Sequence, residues 1–283
     1  MSSLKNKIDF VVLVSVTMAN PNGDPLSENS PRMDYDGYGE MSDVCIKRKI
    51  RNRMQDLCQS IFVQSADRCC DGYKSLSERA DKTLSKTKDP DAYVQMACES
   101  WLDVRAFGQV FAFKGESESV SAGVRGPVSI HQAVSFSPIQ VEDMQIVKSV
   151  NGEPSKKEGG RTSDTMGTKH FVRFGLYKVK GSINVQLAEK TGFSEDDAAV
   201  LKECLRTLFV NDASAARPDG SMEVYKLYWW EHNCDIGQYS SARVHRLVNA
   251  KLKDSVDMPS GIDDYEITLE ELPNLSCEVI DGL

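Results

Sequence analysis

A chain of 283 residues, 40% hydrophobic and 27% charged, has an ordinary globular composition and enough length for one elaborated core or two unequal lobes. Its net charge of −8 would speak against a polyanionic partner if the charges were evenly spread. They are not: nine acids and no Lys or Arg fall from Asp254 onward, and the other 253 residues carry 34 basic and 33 acidic groups, net +1. Affinity for phosphate follows local potential, so the basic clusters are read apart from the acidic end. That end reads as a separate surface, either a solvated face or a device that repels misplaced polyanions.

Residues 8 to 18 predict a buried strand, in which Ile8, Phe10, Val12, Val14, Val16 and Met18 alternate. Asn20-Pro21-Asn22-Gly23-Asp24-Pro25 then gives a dense turn signal, and a Gly- and Pro-punctuated loop runs to about Met41. Ser42 or Asp43 can cap a helix whose apolar stripe is Ile46, Ile50, Met54, Leu57 and Ile61. Residues 67 to 105 read as mainly helical, broken at Asp89-Pro90. A second strand region follows Arg125-Gly126-Pro127, with Val128, Ile130, Val134 and Phe136 on one face. Residues 138 to 169 carry no core pattern and read as a long insertion or arm. A third strand alternates Tyr177, Val179, Gly181, Ile183, Val185 and Leu187 with polar residues. Ser194 with Asp197 opens a helix carrying Ala198, Leu201, Leu205 and Leu208, and the last strand is Val224 to Trp230. The order strand, helix, strand, strand, helix, strand is that of ferredoxin-like domains.

The longest apolar run, Phe10 to Val14, is too short to span a bilayer, and Met1 to Lys7 lacks the apolar stretch of a signal peptide. The expected setting is the cytoplasm, with no membrane. Eight cysteines without C-x-x-C spacing then read as reduced thiols. His232 and Cys234 are the one close His/Cys pair, a poor start for a metal site, and no metal or cofactor is expected.

The strongest local signal is Lys47-Arg48-Lys49-Ile50-Arg51-Asn52-Arg53, with five basic residues in seven. Helical spacing puts Lys47, Arg48 and Arg51 on one flank of the apolar stripe and Lys49 and Arg53 on the other, with the heads of the first three free. Such a run is either a solvated face paired with distant acids or a seat for a polyanion. Asn20, Asn22, Gly23 and Ser42 beside it offer amides, a hydroxyl and close backbone approach to phosphate. A second signal lies between Gln145 and Lys180, with eight Lys or Arg against three acids. Lys156, Lys157 and Arg161 sit there among glycines, and Lys169 and His170 lead into the third strand. The odd face of the first strand (Asp9, Val11, Leu13, Ser15, Thr17) carries no aromatic, so base stacking on the sheet is not expected. Tyr228, Trp229 and Trp230 read as core or subunit contact. No Walker A, G-x-S-x-G or H-E-x-x-H pattern occurs. Asp24, Asp34, Asp36 and Asp43 could hold Mg²⁺ in a nuclease, but turn-forming and capping roles fit them better.

Across most of its length the chain resembles the backbone subunit of the type I-C CRISPR surveillance complex (Cascade). The matching stretches are Asn20 to Pro25 (NPNGDP), Pro31-Arg32, Ser42 to Arg51 (SDVCIKRKIR), Arg125-Gly126-Pro127, Met166 to Gly175 (MGTKHFVRFG) with Leu176-Tyr177, Ser214 to Arg217 (SAAR) and Glu231-His232. The resemblance implies an α+β fold: an RNA-recognition-motif-like (ferredoxin-like) palm at 1–66, 120–137 and 170–250, helical fingers at 67–119, a thumb at 138–169, and the acidic segment 251–283. It implies a non-enzymatic scaffold whose copies stack head to tail on CRISPR RNA. Its further partners would be a target DNA strand and the large, small and RNA-processing cap subunits. Guide–target pairing, not the protein, would read sequence. RNA contacts would fall to Asn20, Asn22, Gly23, Arg32, Ser42, Lys47, Arg48, Lys49, Arg51, Arg125, Lys169 and His170. The thumb would carry Lys156, Lys157 and Arg161, with Met166 as a base-step wedge. Two other readings stay open: a metal-dependent RNase like the type III backbone subunits, and an interaction protein that binds no nucleic acid.

Overall fold

The computed structural model describes residues 3–84, 89–112, 121–150 and 166–283. The central strand β1 (Ile8–Ala19) runs into a loop pinned by the two-residue strands β2 (Gly23–Asp24) and β3 (Ser30–Pro31), then into β4 (Tyr38–Met41) and helix α1 (Asp43–Asp56). Ser42 caps α1, its Oγ accepting from the Cys45 amide at 3.2 Å. Ile46, Ile50 and Met54 are buried as the spacing predicts. The helix stops short of the expected stripe, because Cys58 takes a left-handed φ of 59°. Ile61 still reaches the core, from the loop beyond.

Helices α2 (Leu76–Thr83), α3 (Pro90–Ser100) and α4 (Leu102–Phe107) and the strand pair β5 (Gln109–Phe111) and β6 (Ala122–Val124) follow. Asp89 caps α3 and Pro90 opens it, the break read from the sequence. These elements gather a small core of their own around Phe62, Trp101 and Phe111. The turn at Arg125-Gly126-Pro127 closes this region onto α4. A Cβ on Gly126 would lie 2.3 Å from the Ala106 carbonyl oxygen and 2.5 Å from the Gly108 nitrogen.

Next come β7 (Val128–Ile130), β8 (Ala133–Pro138), β9 (Val141–Val147) and the 18-residue β10 (Met166–Ile183). Val128 and Ile130 enter the main core, whereas Phe136 packs on the opposite face of the sheet, so the single expected face is split. The break at His131-Gln132, where the His131 amide donates to Lys180 O at 2.9 Å, shifts the alternation. The third strand also ends earlier than the alternation suggests. Asn184 Oδ1 accepts from the Leu187 amide at 2.8 Å and starts helix α5 (Val185–Thr191), so Val185 and Leu187 are helical. Helix α6 (Glu195–Arg206) carries the expected Ser194/Asp197 capping box. Strand β11 (Met222–Glu231), helix α7 (Ser241–His245), the paired strands β12 (Val248–Leu252) and β13 (Tyr265–Leu269), and β14 (Glu278–Asp281) complete the chain.

The main sheet is antiparallel in the order β14, β11, β1, β10, β8, β4, with β7 and β9 also paired to β10. One face carries the even residues of β1 against α1 and α6. The other face is not open. Val11, Leu13, Phe174, Leu176, Tyr228 and Trp230 are buried under Val244, Leu247, Val248, Ala250, Tyr265 and Leu275. The acidic end is therefore no free tail: it turns its sparse apolar residues onto the sheet, adds β14 to its edge, and leaves most of its acids exposed. Tyr228, Trp229 and Trp230 are core residues, Trp229 stacking on Phe10 with centroids 5.6 Å apart. Among the described residues no helix is long and apolar enough to cross a membrane.

Candidate nucleic-acid interface

The alternation of β1 fails at its end. Met18 has a φ of 51° and turns its side chain outward, 48% exposed. Asn20 follows, 4% exposed. Its amide N–H donates to Ala216 O at 2.9 Å and its Nδ2 to Asn29 O at 2.6 Å, while its Oδ1 is buried with no partner among the described residues. Two residues on, Asn22 Oδ1 accepts from the Ser42 amide at 2.9 Å, and Asn22 O accepts from the Arg32 amide at 3.0 Å. Gly23 leaves room for Asn29, whose Oδ1 would lie 2.0 Å from a Cβ there. Lys169, near the start of β10, donates to Ala215 O at 3.1 Å, and His170 Nδ1 is hydrogen-bonded to Asp143 Oδ1 at 2.6 Å. Asn20, Asn22, Gly23, Arg32, Ser42, Lys169 and His170, scattered in sequence, thus share one rim at the end of β1. A cleft of about 380 Å³ opens there, lined by Met18, Asn20, Met144, Lys169, Phe171 and Ala216 among others.

Helix α1 divides its charges between two flanks, as its spacing predicts, but most heads are engaged. On one flank Lys49 is 4% exposed, ion-paired with Asp212 and 5.4 Å from the Phe209 ring centroid. Burial pushes its pKa down despite that partner. Arg53 Nε donates to Thr207 Oγ1 at 2.7 Å. On the other flank Arg51 Nε donates to the fully buried Asp103 at 2.8 Å, and its guanidinium lies over the Phe107 ring. Arg48 donates to Val63 O at 2.8 Å, and burial, then neighbouring Arg51, pushes its pKa down. Lys47 makes the helical pair with Asp43 at 3.0 Å and keeps a quarter of its side chain in solvent. The expectation that the heads of Lys47, Arg48 and Arg51 are free is therefore corrected: acids and carbonyls distant in sequence hold Arg48 and Arg51, facing the 60–107 region.

Arg125 is exposed beside β6, away from the rim. Met166 opens β10 opposite Val147 and is 60% exposed. Lys156, Lys157 and Arg161 lie outside the described residues. One rim residue escaped notice as a contact: Arg217, whose Nε meets Asp212 Oδ2 at 3.3 Å with 27% of the side chain exposed. Its signal was the SAAR stretch, which also supplies the carbonyls that hold Asn20 and Lys169.

The loop acids have local work. Asp34 Oδ1 accepts from the amides of Asp36 (3.0 Å) and Tyr38 (2.8 Å), and Asp24 accepts from the Leu26 amide and from Arg32. Among the described residues no three His, Cys, Asp or Glu side chains are placed to share a metal ion. His232 is buried and accepts at Nδ1 from the Gln238 amide, so its Nε2–H donates to Asp9 Oδ2 at 2.9 Å. Burial works to raise the Asp9 pKa, but the bonds from His232 and Ser241 and the charge of Lys7 outweigh it and hold the carboxyl low.

A model of the family "CRISPR-associated protein Cas7" matches residues 6–270. The CRISPR-associated protein Cas7 of Haloferax volcanii is 26% identical over 254 residues, covering 82% of this chain and 73% of the relative. A solved chain from "CRISPR RNA-guided surveillance complex, pre-nicking" superposes with a TM-score of 0.51 at 17% identity, over 84% of this chain and 81% of that one. At that identity the likeness is one of fold.

Proposed function

The chain belongs to the CRISPR-associated Cas7 family, and from that premise we propose that it is a non-catalytic scaffold of the type I-C Cascade kind. Copies polymerise along CRISPR guide RNA, hold its phosphate backbone and present it for pairing with target DNA in antiviral defence. The large, small and RNA-processing cap subunits complete the particle. The observation that carries this reading is the continuous rim at the end of β1. There the 20–32 loop, the first turn of α1, the start of β10 and residues 214–217 are tied to one another by hydrogen bonds.

In this reading β11, β1, β10 and β7/β8 with α1 and α6 are an RNA-recognition-motif-like palm. Residues 67–119 are fingers, whose described helices share a small core with Phe62 and Val124, and the β9/β10 hairpin is the base of a thumb that carries Met166. Arg32, Lys47, Lys169 and Arg217 meet phosphates directly, Asn20, Asn22, Gly23 and Ser42 shape the groove, and the cleft takes one unstacked nucleotide. Lys49 and Arg51 hold α1 in place through Asp212 and Asp103. Contacts of this kind position a backbone without reading bases.

The test is purification with guide RNA, followed by native mass measurement and electron microscopy. Several copies per RNA in a head-to-tail array are expected, since stacking along a strand cannot close by a two-fold axis. One copy per RNA would overturn the scaffold. Mg²⁺-dependent cleavage of complementary RNA, abolished by changing Asp24, Asp34, Asp36 or Asp43, would install the RNase reading in its place.

A further inference from the structure

The rim's cations are not bare. Arg32 meets Asp24 at 3.3 Å, Lys47 meets Asp43 at 3.0 Å and Arg217 meets Asp212 at 3.3 Å. Each basic side chain keeps between 25% and 37% of its surface in solvent. All three therefore sit where a ligand can reach them, and each already carries a carboxylate. A carboxylate and a phosphate compete for the same N–H donors of an arginine or lysine. Asp212 has a second duty, holding the buried Lys49. Among the described residues Asp24 and Asp43 hold no buried cation: Asp24 also accepts from the Leu26 amide at 3.2 Å, and Asp43 lies in the first turn of α1. An asparagine keeps the acceptor that Asp24 offers the Leu26 amide, and at position 43 gives up only the charge that faces the N-terminus of α1.

We propose that Asp24 and Asp43 are internal competitors for phosphate, masking Arg32 and Lys47 until an RNA strand displaces them. The inference rests on the RNA-binding reading and adds selectivity to it. At Arg32 and at Lys47 a phosphate contact must first break a carboxylate pair, so a strand that touches one of these positions gains little. A strand that runs through the whole rim displaces both masks and keeps all its contacts. The loop acids thus have a part in binding beyond their turns, and that part needs neither a metal nor catalysis.

The experiment measures fluorescence anisotropy of labelled single-stranded RNA of unrelated sequence against the full chain freed of guide. Asp24→Asn and Asp43→Asn should each bind about two- to five-fold tighter at low salt, the range set by exposed ion pairs. The gain should shrink as salt screens the charges. Asp36→Asn is the control: it removes the same charge from the same loop, but Asp36 is exposed and no ion pair joins it to a cation among the described residues. In a Lys47→Ala background the gain from Asp43→Asn should vanish, which a long-range charge effect would not do. An equal gain in the control, a gain that survives Lys47→Ala, or unchanged or weaker binding by the asparagine variants would overturn the masking. If the wild-type chain binds no RNA, the binding reading fails and the masking with it. Wild-type binding without any asparagine gain removes the masking alone.

Discussion

Arg51→Ala separates holding the helix from holding RNA. Asp103 has no exposed surface and accepts from three donors: the Phe62 amide at 2.6 Å, the Val63 amide at 3.1 Å and Arg51 Nε at 2.8 Å. Alanine removes the only cation of the three and also the guanidinium over the Phe107 ring. Breaking a buried pair from one side costs about 3–5 kcal/mol. The two amides still solvate the carboxylate, so the low end applies, about 3 kcal/mol, or roughly 6–12 °C in Tm for a domain of this size. Lys47→Ala breaks only an exposed helical pair worth about 0.3–0.5 kcal/mol and should move Tm by no more than about 2 °C. Melting by circular dichroism and urea titration measure both. RNA affinity should show the reverse order, with Lys47→Ala weakening it for any sequence and lowering the log–log salt slope by roughly 0.7. A Tm drop under about 2 °C for Arg51→Ala, with RNA affinity lost, would refute the assignment and make Arg51 a direct contact.

Two further substitutions probe the cover over the sheet and the region around α2. Lys178 donates to His245 O at 2.6 Å and Val248 O at 2.5 Å. Lys178→Met leaves both carbonyls unmet at about 1–3 kcal/mol each, so amide exchange across 241–252 should speed up markedly; unchanged protection there would show that the apolar contacts alone hold the segment. Asp71 is held at about 2, chiefly by its hydrogen bonds from Arg79. A depressed carboxyl stabilises the fold above its ordinary range and loses that contribution as pH falls through the folded value. The difference between wild type and Asp71→Asn in amide protection over residues 62–84 should therefore hold above pH ~4 and close between pH ~4 and ~2. A difference that persists to pH ~2 would assign the stabilisation to something other than that ion pair.

Local signals in the chain predicted local structure well. Ser42, Asp89 with Pro90, and the Ser194/Asp197 box cap the helices they announce. The two largest failures share one physical cause: the deciding partner lies far along the chain. The alternation of β1 cannot tell that Val11 and Leu13 are covered, because the cover is built from single apolar residues, among them Leu247, Tyr265 and Leu275, set apart by turns and acids. The basic run of α1 cannot show that Arg51 finds Asp103 and Lys49 finds Asp212, 52 and 163 residues away. Other failures are local: Met18 and Cys58 take positive φ values, and Asn184 caps a helix inside a pattern that alternates straight through it. Of the rim, the NPNGDP and basic-helix components were legible as residue types. Their union with Lys169 and residues 214–217 was not, because long-range strand pairing and loop carbonyls create it.

The covered sheet bears on what kind of recognition the molecule can perform. Reading bases on a sheet requires an open face with aromatic side chains to stack on. Here one face is filled by α1 and α6 and the other by the C-terminal segment, and the aromatics of β11 are spent in packing. Among the described residues, what remains for a strand of nucleic acid is the rim where β1 ends and β10 begins, a place of loop amides, helix-first-turn residues and ion-paired cations. Such a surface offers donors for phosphate at several points and few fixed edges for bases, so on the scaffold reading it would hold unrelated sequences alike. A scaffold on guide RNA needs that indifference, because specificity then belongs wholly to base pairing. On the scaffold reading proposed above, residues 244–275, by closing the second face, would contribute to the lack of sequence preference as directly as Lys47 would contribute to grip.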